Sequence, residues 1–146
     1  MDVQLLHEDA QMPVKAHADD AGFDIHCVSK FSLESYELSL VSTGIAARAP
    51  LNSYLHIALC SGLASKGSTF STTVEVLGGV VDQNYIGEIK VLLFNSSHAN
   101  IAIATGDRIA QVILMMIAHP QLVQVDKFSN TDYRTGGFGS SGMGRT

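Results

Sequence analysis

An all-β domain is what this sequence predicts, on three observations. Its apolar stretches are short and broken by Gly, Ser, Asn or Pro; several of them alternate with period two; and no Ser, Thr or Asp cap leads into a sustained 3.6-residue apolar period. Taken in order, Tyr36 to Ser42 and Gly44 to Arg48 flank a break at Thr43 and suggest one strand with a bend or bulge. Ser53 to Leu59 places Tyr54, His56 and Ala58 on one face and Leu55, Ile57 and Leu59 on the other. Glu88 to Phe94 is rich in strand formers and begins by alternating charged with apolar residues, and Ile101 to Ile103 is a shorter example. Arg108 to Ala118 has the length of a helix, but its β-branched, continuous apolar character favours a strand buried on both faces. One helical turn near Ser61 to Lys66 is the exception. Many short strands separated by turn signals point to a β-sandwich, barrel or jelly roll.

Composition bounds the partners. A chain of 146 residues is long enough for one domain that folds without a disulfide or metal. Its net charge of −5 comes with scattered cations and no basic block, which excludes electrostatic binding to a nucleic-acid polymer but not to one small phosphate ligand. The longest apolar run, Val112 to Ala118, is seven residues, far short of the roughly 20 needed to span a bilayer, so no membrane partner is expected. The N-terminus carries no basic region leading into an apolar one, so the expectation is an intracellular protein without a signal peptide. Cys27 and Cys60 read as two free, buried thiols. From Gly136 to Thr146, five of eleven residues are Gly, the composition of a flexible tail. Phe138 among those glycines and Arg134 ahead of them also suit a flap, with an aromatic to stack on a ring and N–H groups to approach phosphate.

Side-chain metal ligation is poorly supported, because the six His form no i, i+4 pair and have no Cys at ligand spacing. A serine nucleophile is equally weak, since Cys60-Ser61-Gly62 lacks the first glycine of a nucleophile elbow. The strongest segment runs from Gly78 to Val91: two glycines, a hairpin with Asp82 and Tyr85 in one tight turn, then a departing strand. By itself an Asp in a turn merely bonds its own backbone. Gly106 to Gln111 is a second turn feeding a strand.

Five segments occur in order: Ala21-Gly22-Phe23-Asp24, Ser61-Gly62-Leu63-Ala64-Ser65-Lys66, Gly79 to Gly87, Gly106 to Gln111 and Gly136 to Gly142. Together they resemble the five ordered motifs of the homotrimeric dUTPases (deoxyuridine triphosphate nucleotidohydrolases), from about Pro13 to Gly142. The resemblance implies a jelly-roll subunit of the β-clip type, residues 1–132, with a flexible flap over 133–146. It implies a homotrimer whose sites are shared between subunits, with Mg²⁺ carried on the triphosphate, and a reaction in which water attacks the α-phosphate of dUTP to give dUMP and pyrophosphate.

Carried over by position, Asp82 would hold and polarise the water and bond the 3′-hydroxyl, and Asp24 would reach the metal through water. Tyr85 would pack under the deoxyribose and exclude a 2′-hydroxyl. The backbone of Gly79, Val80 and Val81 would pair with the uracil edge. Ser61, with Gly62, and Gln111 would hold the phosphates; Phe138 would cover the uracil, and Gly139, Ser140 and Arg134 would close on the phosphate chain. Three positions depart from the family pattern: Cys60 stands where an Arg precedes Ser-Gly-Leu-Ala, Tyr133 and Arg134 replace Arg-Gly ahead of the flap, and Val76 replaces an Asn before the hairpin. A charged hydrogen bond of the kind lost at Cys60 is worth about 1.5–3 kcal/mol. The alternative expectation is therefore a catalytically impaired protein of the same fold that binds nucleotide or a protein partner.

Overall fold

The computed structural model describes residues 1–60, 74–77 and 79–128. Within them the chain forms eleven strands and no helix, and all the strand pairs are antiparallel. A four-stranded sheet has the order β2 (Gly22–His26), β11 (Arg108–Met116), β6 (Ser53–Ala58), β8 (Val80–Val81). A three-stranded sheet has the order β4 (Leu38–Ser42), β9 (Lys90–Asn95), β7 (Val74–Leu77). Two pairs complete the body: β1 (Asp2–Leu5) with β5 (Ile45–Arg48), and β3 (Phe31–Leu33) with β10 (Ile101–Ile103). The helical turn expected near Ser61 to Lys66 lies outside the described residues.

The period-two pattern decides which face goes inside. Along β6, Leu55 and Ile57 are buried while Tyr54, His56 and Ala58 are half-exposed, as the alternation requires. Buried residues from β2 to β7 and β9 to β11 meet in one core, with Ile25, Leu33, Leu55, Val74, Leu93 and Ile109 fully enclosed. Cys27 and Cys60 are free and buried, as expected. Among the polar side chains enclosed with them, Asn95 is the largest. Asn95 donates to the carbonyls of Leu33, Glu34 and Ala99 and accepts from the Ser97 N–H and hydroxyl, so the amide pins a loop without an unmet bond.

Two expectations about strands are corrected. The break at Thr43 does not bend one strand; it separates β4, which pairs with β9, from β5, which pairs with β1. The cause is local. Gly44 has φ +65°, and a Cβ there would sit 2.7–2.9 Å from side-chain carbons of Val28, His7 and Ala10, while the Thr43 hydroxyl donates to the Ile89 carbonyl. The second correction concerns Arg108 to Ala118. The strand ends at Met116 and is buried only in its first half, since Leu114, Met115 and Met116 are exposed. Pairing with β2 stops at Ile113, so beyond it β11 leans on β6 alone.

A bulge in β11 sets the faces near its start. Arg108 pairs with His26 but Ala110 pairs with Ile25, so two steps on β11 oppose one on β2. Directly opposed residues share a face. Ala110 therefore joins Ile25 in the core with Ile109, while Arg108 and Gln111 both emerge on the face that carries His26 and Asp24. In a regular strand, residues three apart point to opposite faces.

Candidate active site

Those of the expected site residues that the structure describes fall in or beside two cavities. The first, about 510 Å³, lies along the hairpin and is lined by Val80, Val81, Asp82, Tyr85, Glu88 and Lys90 among others. Gly79 opens it with φ +136°; its carbonyl accepts from the Ile57 N–H at 2.7 Å, and a Cβ would lie 2.5 Å from the Ile57 oxygen. Only a glycine lets the hairpin approach β6 this closely. β6 takes one edge of β8, and among the described residues no strand pairs with the other edge. Its backbone groups are thus available to a flat hydrogen-bonding ring.

The tight turn that follows is held locally. The Tyr85 N–H donates to the Asp82 carbonyl at 3.0 Å, and the Tyr85 hydroxyl donates to the Glu88 carbonyl at 3.0 Å. The phenol crosses Gly87 so closely that a Cβ there would lie 2.5 Å from its oxygen. The ring is thereby fixed at the cavity wall with one face open. Gln83 accepts from the Asn52 N–H at 3.2 Å, tying the turn to the loop before β6, and Asp82 presents an exposed carboxylate. Glu88 is engaged elsewhere, accepting from the Gly44 N–H at 3.0 Å and facing Lys90 Nζ at 3.7 Å.

The second cavity, about 330 Å³ and mostly polar, is lined by Gly22, Asp24, Cys60, Arg108 and Gln111, with His17 and Asp20 at its border. Gln111 lies across Gly22, where a Cβ would collide with its amide oxygen, and its Nε2 donates to the Leu59 carbonyl at 2.9 Å. Arg108 Nη1 donates to Asp24 Oδ2 at 2.9 Å; the Arg side chain is 53% exposed and the Asp 18%. Hydrogen bonding and charge from Asp24 raise the guanidinium pKa further above its already high value. The Cys60 thiol turns away from solvent, donating to the Arg108 carbonyl at 3.7 Å, and the residue is only 6% exposed. Beside the pair, burial pushes the His26 imidazole below its ordinary value; Asp24 opposes that shift and Arg108 adds to it.

The structure therefore brings Asp82, Tyr85, Val80 and Val81 together, and separately Asp24 and Gln111. Ser61, Gly62, Arg134, Phe138, Gly139 and Ser140 lie outside the described residues, as do Lys66 and Tyr133. Arg108 was not among the expected site residues. Its signal was present, inside the Gly106 to Gln111 segment, but only the bulge reveals that it shares a face with Gln111 and Asp24. Among the described residues no three of His, Cys, Asp and Glu converge to hold a metal ion.

Residues 8–142 match the dUTPase family. The chain belongs to that family. A deoxyuridine 5′-triphosphate nucleotidohydrolase of Picosynechococcus is 39% identical over 137 residues, covering 94% of this chain and 94% of its own length. The protein of the same name from Saccharomyces cerevisiae is 40% identical over 141 residues, covering 96% of this chain and 92% of its own. The dUTPase of Staphylococcus bacteriophage 80alpha, solved with dUpNHpp, superposes with a TM-score of 0.88 at 28% identity and covers 97% of this chain and 98% of its own. A dUTPase of phage phi11 of S. aureus, whose structure concerns a structural Mg(II) ion, superposes with a TM-score of 0.80 at 26% identity, covering 88% and 98%. The strand order above is thus the jelly-roll body of a dUTPase.

Proposed function

We propose that this chain is a dUTP diphosphatase, converting dUTP and water to dUMP and pyrophosphate. The observation that carries the reading is the hairpin cavity, which gathers a strand edge left unpaired among the described residues, a clamped tyrosine ring and an exposed carboxylate, the groups that a uracil, a deoxyribose and an attacked phosphate would need. The free edge of β8 pairs with the base. The Tyr85 ring packs against the sugar where a ribose would carry its 2′-hydroxyl. Asp82 orients the water and takes up its proton as oxygen attacks the α-phosphorus and the bond to the bridging oxygen breaks. Gln111, Ser61 and Gly62 hold the phosphates, while Phe138, Gly139, Ser140 and Arg134 close over the bound nucleotide and exclude bulk water.

The donor set suits Mg²⁺ bound to the substrate rather than caged by protein. Two carboxylates, Asp24 and the more exposed Asp20, line the polar cavity, and the described residues offer no cluster of three or more ligands that would strip a hydrated ion. When bound with the triphosphate, Mg²⁺ supplies neutralisation of phosphate charge. Asp24 reaches its water shell.

The reading also makes the working unit a homotrimer. Asp82 and Asp24 line different cavities of one chain, so a site holding both takes them from two copies. The exposed end of β11 and Leu122, Val123, Val125 and Phe128 beyond it supply apolar surface for association. Release of pyrophosphate from dUTP and Mg²⁺ tests the activity, and sedimentation at micromolar concentration tests the assembly. A protein that binds dUTP without releasing pyrophosphate would favour the impaired binding module, the reading that the inward-turned Cys60 supports; a monomer would end the shared site.

A further inference from the structure

Among the described residues, the polar cavity has one Arg or Lys in its lining, and that residue is already in use. Arg108 donates to Asp24, while Cys60 hides its thiol against the Arg108 backbone and adds no charge. Asp20, at the border, accepts from the His17 N–H at 2.8 Å. A triphosphate entering this cavity meets two carboxylates and a guanidinium committed to one of them.

The geometry of that commitment makes it exchangeable. The contact is a single Nη1–Oδ2 bond, and the arginine is more than half exposed. A pair with one partner this open to solvent is partly screened by water. A guanidinium has five N–H donors in a planar fork, and a phosphate group offers it paired oxygens and more charge than one carboxylate. The bulge already points Arg108 out of the sheet on the side of Gln111, so the guanidinium can leave Asp24 by side-chain rotation with the backbone in place.

Resting on the reading of this cavity as the phosphate side of the site, we propose that Arg108 is a phosphate-binding residue held in reserve by Asp24. In the free protein the two pair. When the phosphate chain enters, the guanidinium moves to phosphate oxygens, and the freed carboxylate turns to the hydrated cation that accompanies the nucleotide. Asp24 thus restrains triphosphate binding until a divalent cation takes its charge.

Calorimetric titration with dUpNHpp in EDTA tests this without turnover. Arg108→Gln is expected to weaken binding about tenfold or more, while dUMP affinity stays within about twofold and Arg108→Lys recovers part of the loss. Asp24→Asn is expected to tighten metal-free dUpNHpp binding about threefold or more, because it releases Arg108, and to remove most of the gain that Mg²⁺ gives the wild type. The double variant decides between exchange and simple loss of a negative charge. Under the proposal the Asp24→Asn gain disappears when Arg108 is Gln; a gain that persists there overturns it. So does an Asp24→Asn protein that binds more weakly in EDTA, or an Arg108→Gln protein that binds as the wild type does with an unchanged melting temperature. Wild-type protein that fails to bind dUpNHpp at all would remove the reading of the site and this inference with it.

Discussion

The two cavities differ in how their residues are held. In the hairpin cavity the bonds that fix the Tyr85 ring are short-range: Tyr85 to Asp82 and Tyr85 to Glu88 each span three residues, while Gly79 to Ile57 and Gln83 to Asn52 tie the hairpin to β6 and the loop before it. In the polar cavity they are long-range. Arg108 reaches Asp24 across 84 residues, and Gln111 reaches Leu59 across 52. The placement of the tyrosine ring is thus set within the hairpin's own sequence, whereas the polar cavity exists only once β2, β11 and β6 have paired. The first is suited to rigid recognition of a ring, and the second to partners that exchange.

Variants sharpen that contrast, beginning with the largest effect. Asp82→Asn replaces an exposed carboxylate with an amide of nearly equal size. It is expected to lower the rate of pyrophosphate release by roughly 10²–10⁴-fold with the melting temperature unchanged. A variant that kept most of the wild-type rate would leave Asp82 as a turn former. Tyr85→Ala removes the ring from the wall and is expected to raise kcat/KM for UTP relative to dUTP about tenfold or more. Tyr85→Phe keeps the ring and loses only the bond to Glu88, so its selectivity should stay close to that of the wild type; UTP accepted equally by all three proteins would end the sugar assignment.

Gly79→Ala tests whether the wall is rigid. The left-handed φ and the nearby Ile57 oxygen should together cost about 2 kcal/mol or more, a fall in Tm of roughly 4–8 °C. An unchanged thermal scan would show that the hairpin can move away from β6.

The smallest effect belongs to the polar cavity. The folded-state pKa of His26 lies below the ordinary value of about 6.5, so between the two the unfolded chain binds more protons and stability rises with pH. That contribution is present above the unfolded value and is lost on acidification. His26→Gln should therefore flatten the rise of Tm between about pH 5 and 7. An unaltered slope would place the titrating group elsewhere.

The same division explains what could be read from the sequence. The all-β class, the inward faces of β6 and the turn joining Asp82 to Tyr85 all follow from spacings of two or three residues, which any window displays. Arg108 was missed because its role depends on a register: nothing within Gly106 to Gln111 says that β2 will lie opposite with one residue fewer. The exposed end of β11 was misjudged for a related reason. Seven consecutive apolar residues look buried on both sides, yet β2 is too short to cover them. The separation of Asp24 from Asp82 was invisible too, because order along a chain carries no information about which cavity a residue will line.

The bulge in β11 acts as a reading frame for the sheet. A strand has two phases, inside and outside, and the extra residue shifts the phase once, between Arg108 and Ala110. Deleting Ile109 would cancel the shift without changing any residue that lines the polar cavity. With Gln111 onward still in register, Ala110 would stay inside opposite Ile25, and Arg108 would stay outside opposite His26. What the deletion removes is the fully enclosed Ile109 side chain. The extra residue therefore adds one apolar side chain to the core without moving Arg108 or Gln111 off the cavity face. A fall in Tm for the Ile109 deletion close to that for Ile109→Ala is the expected result.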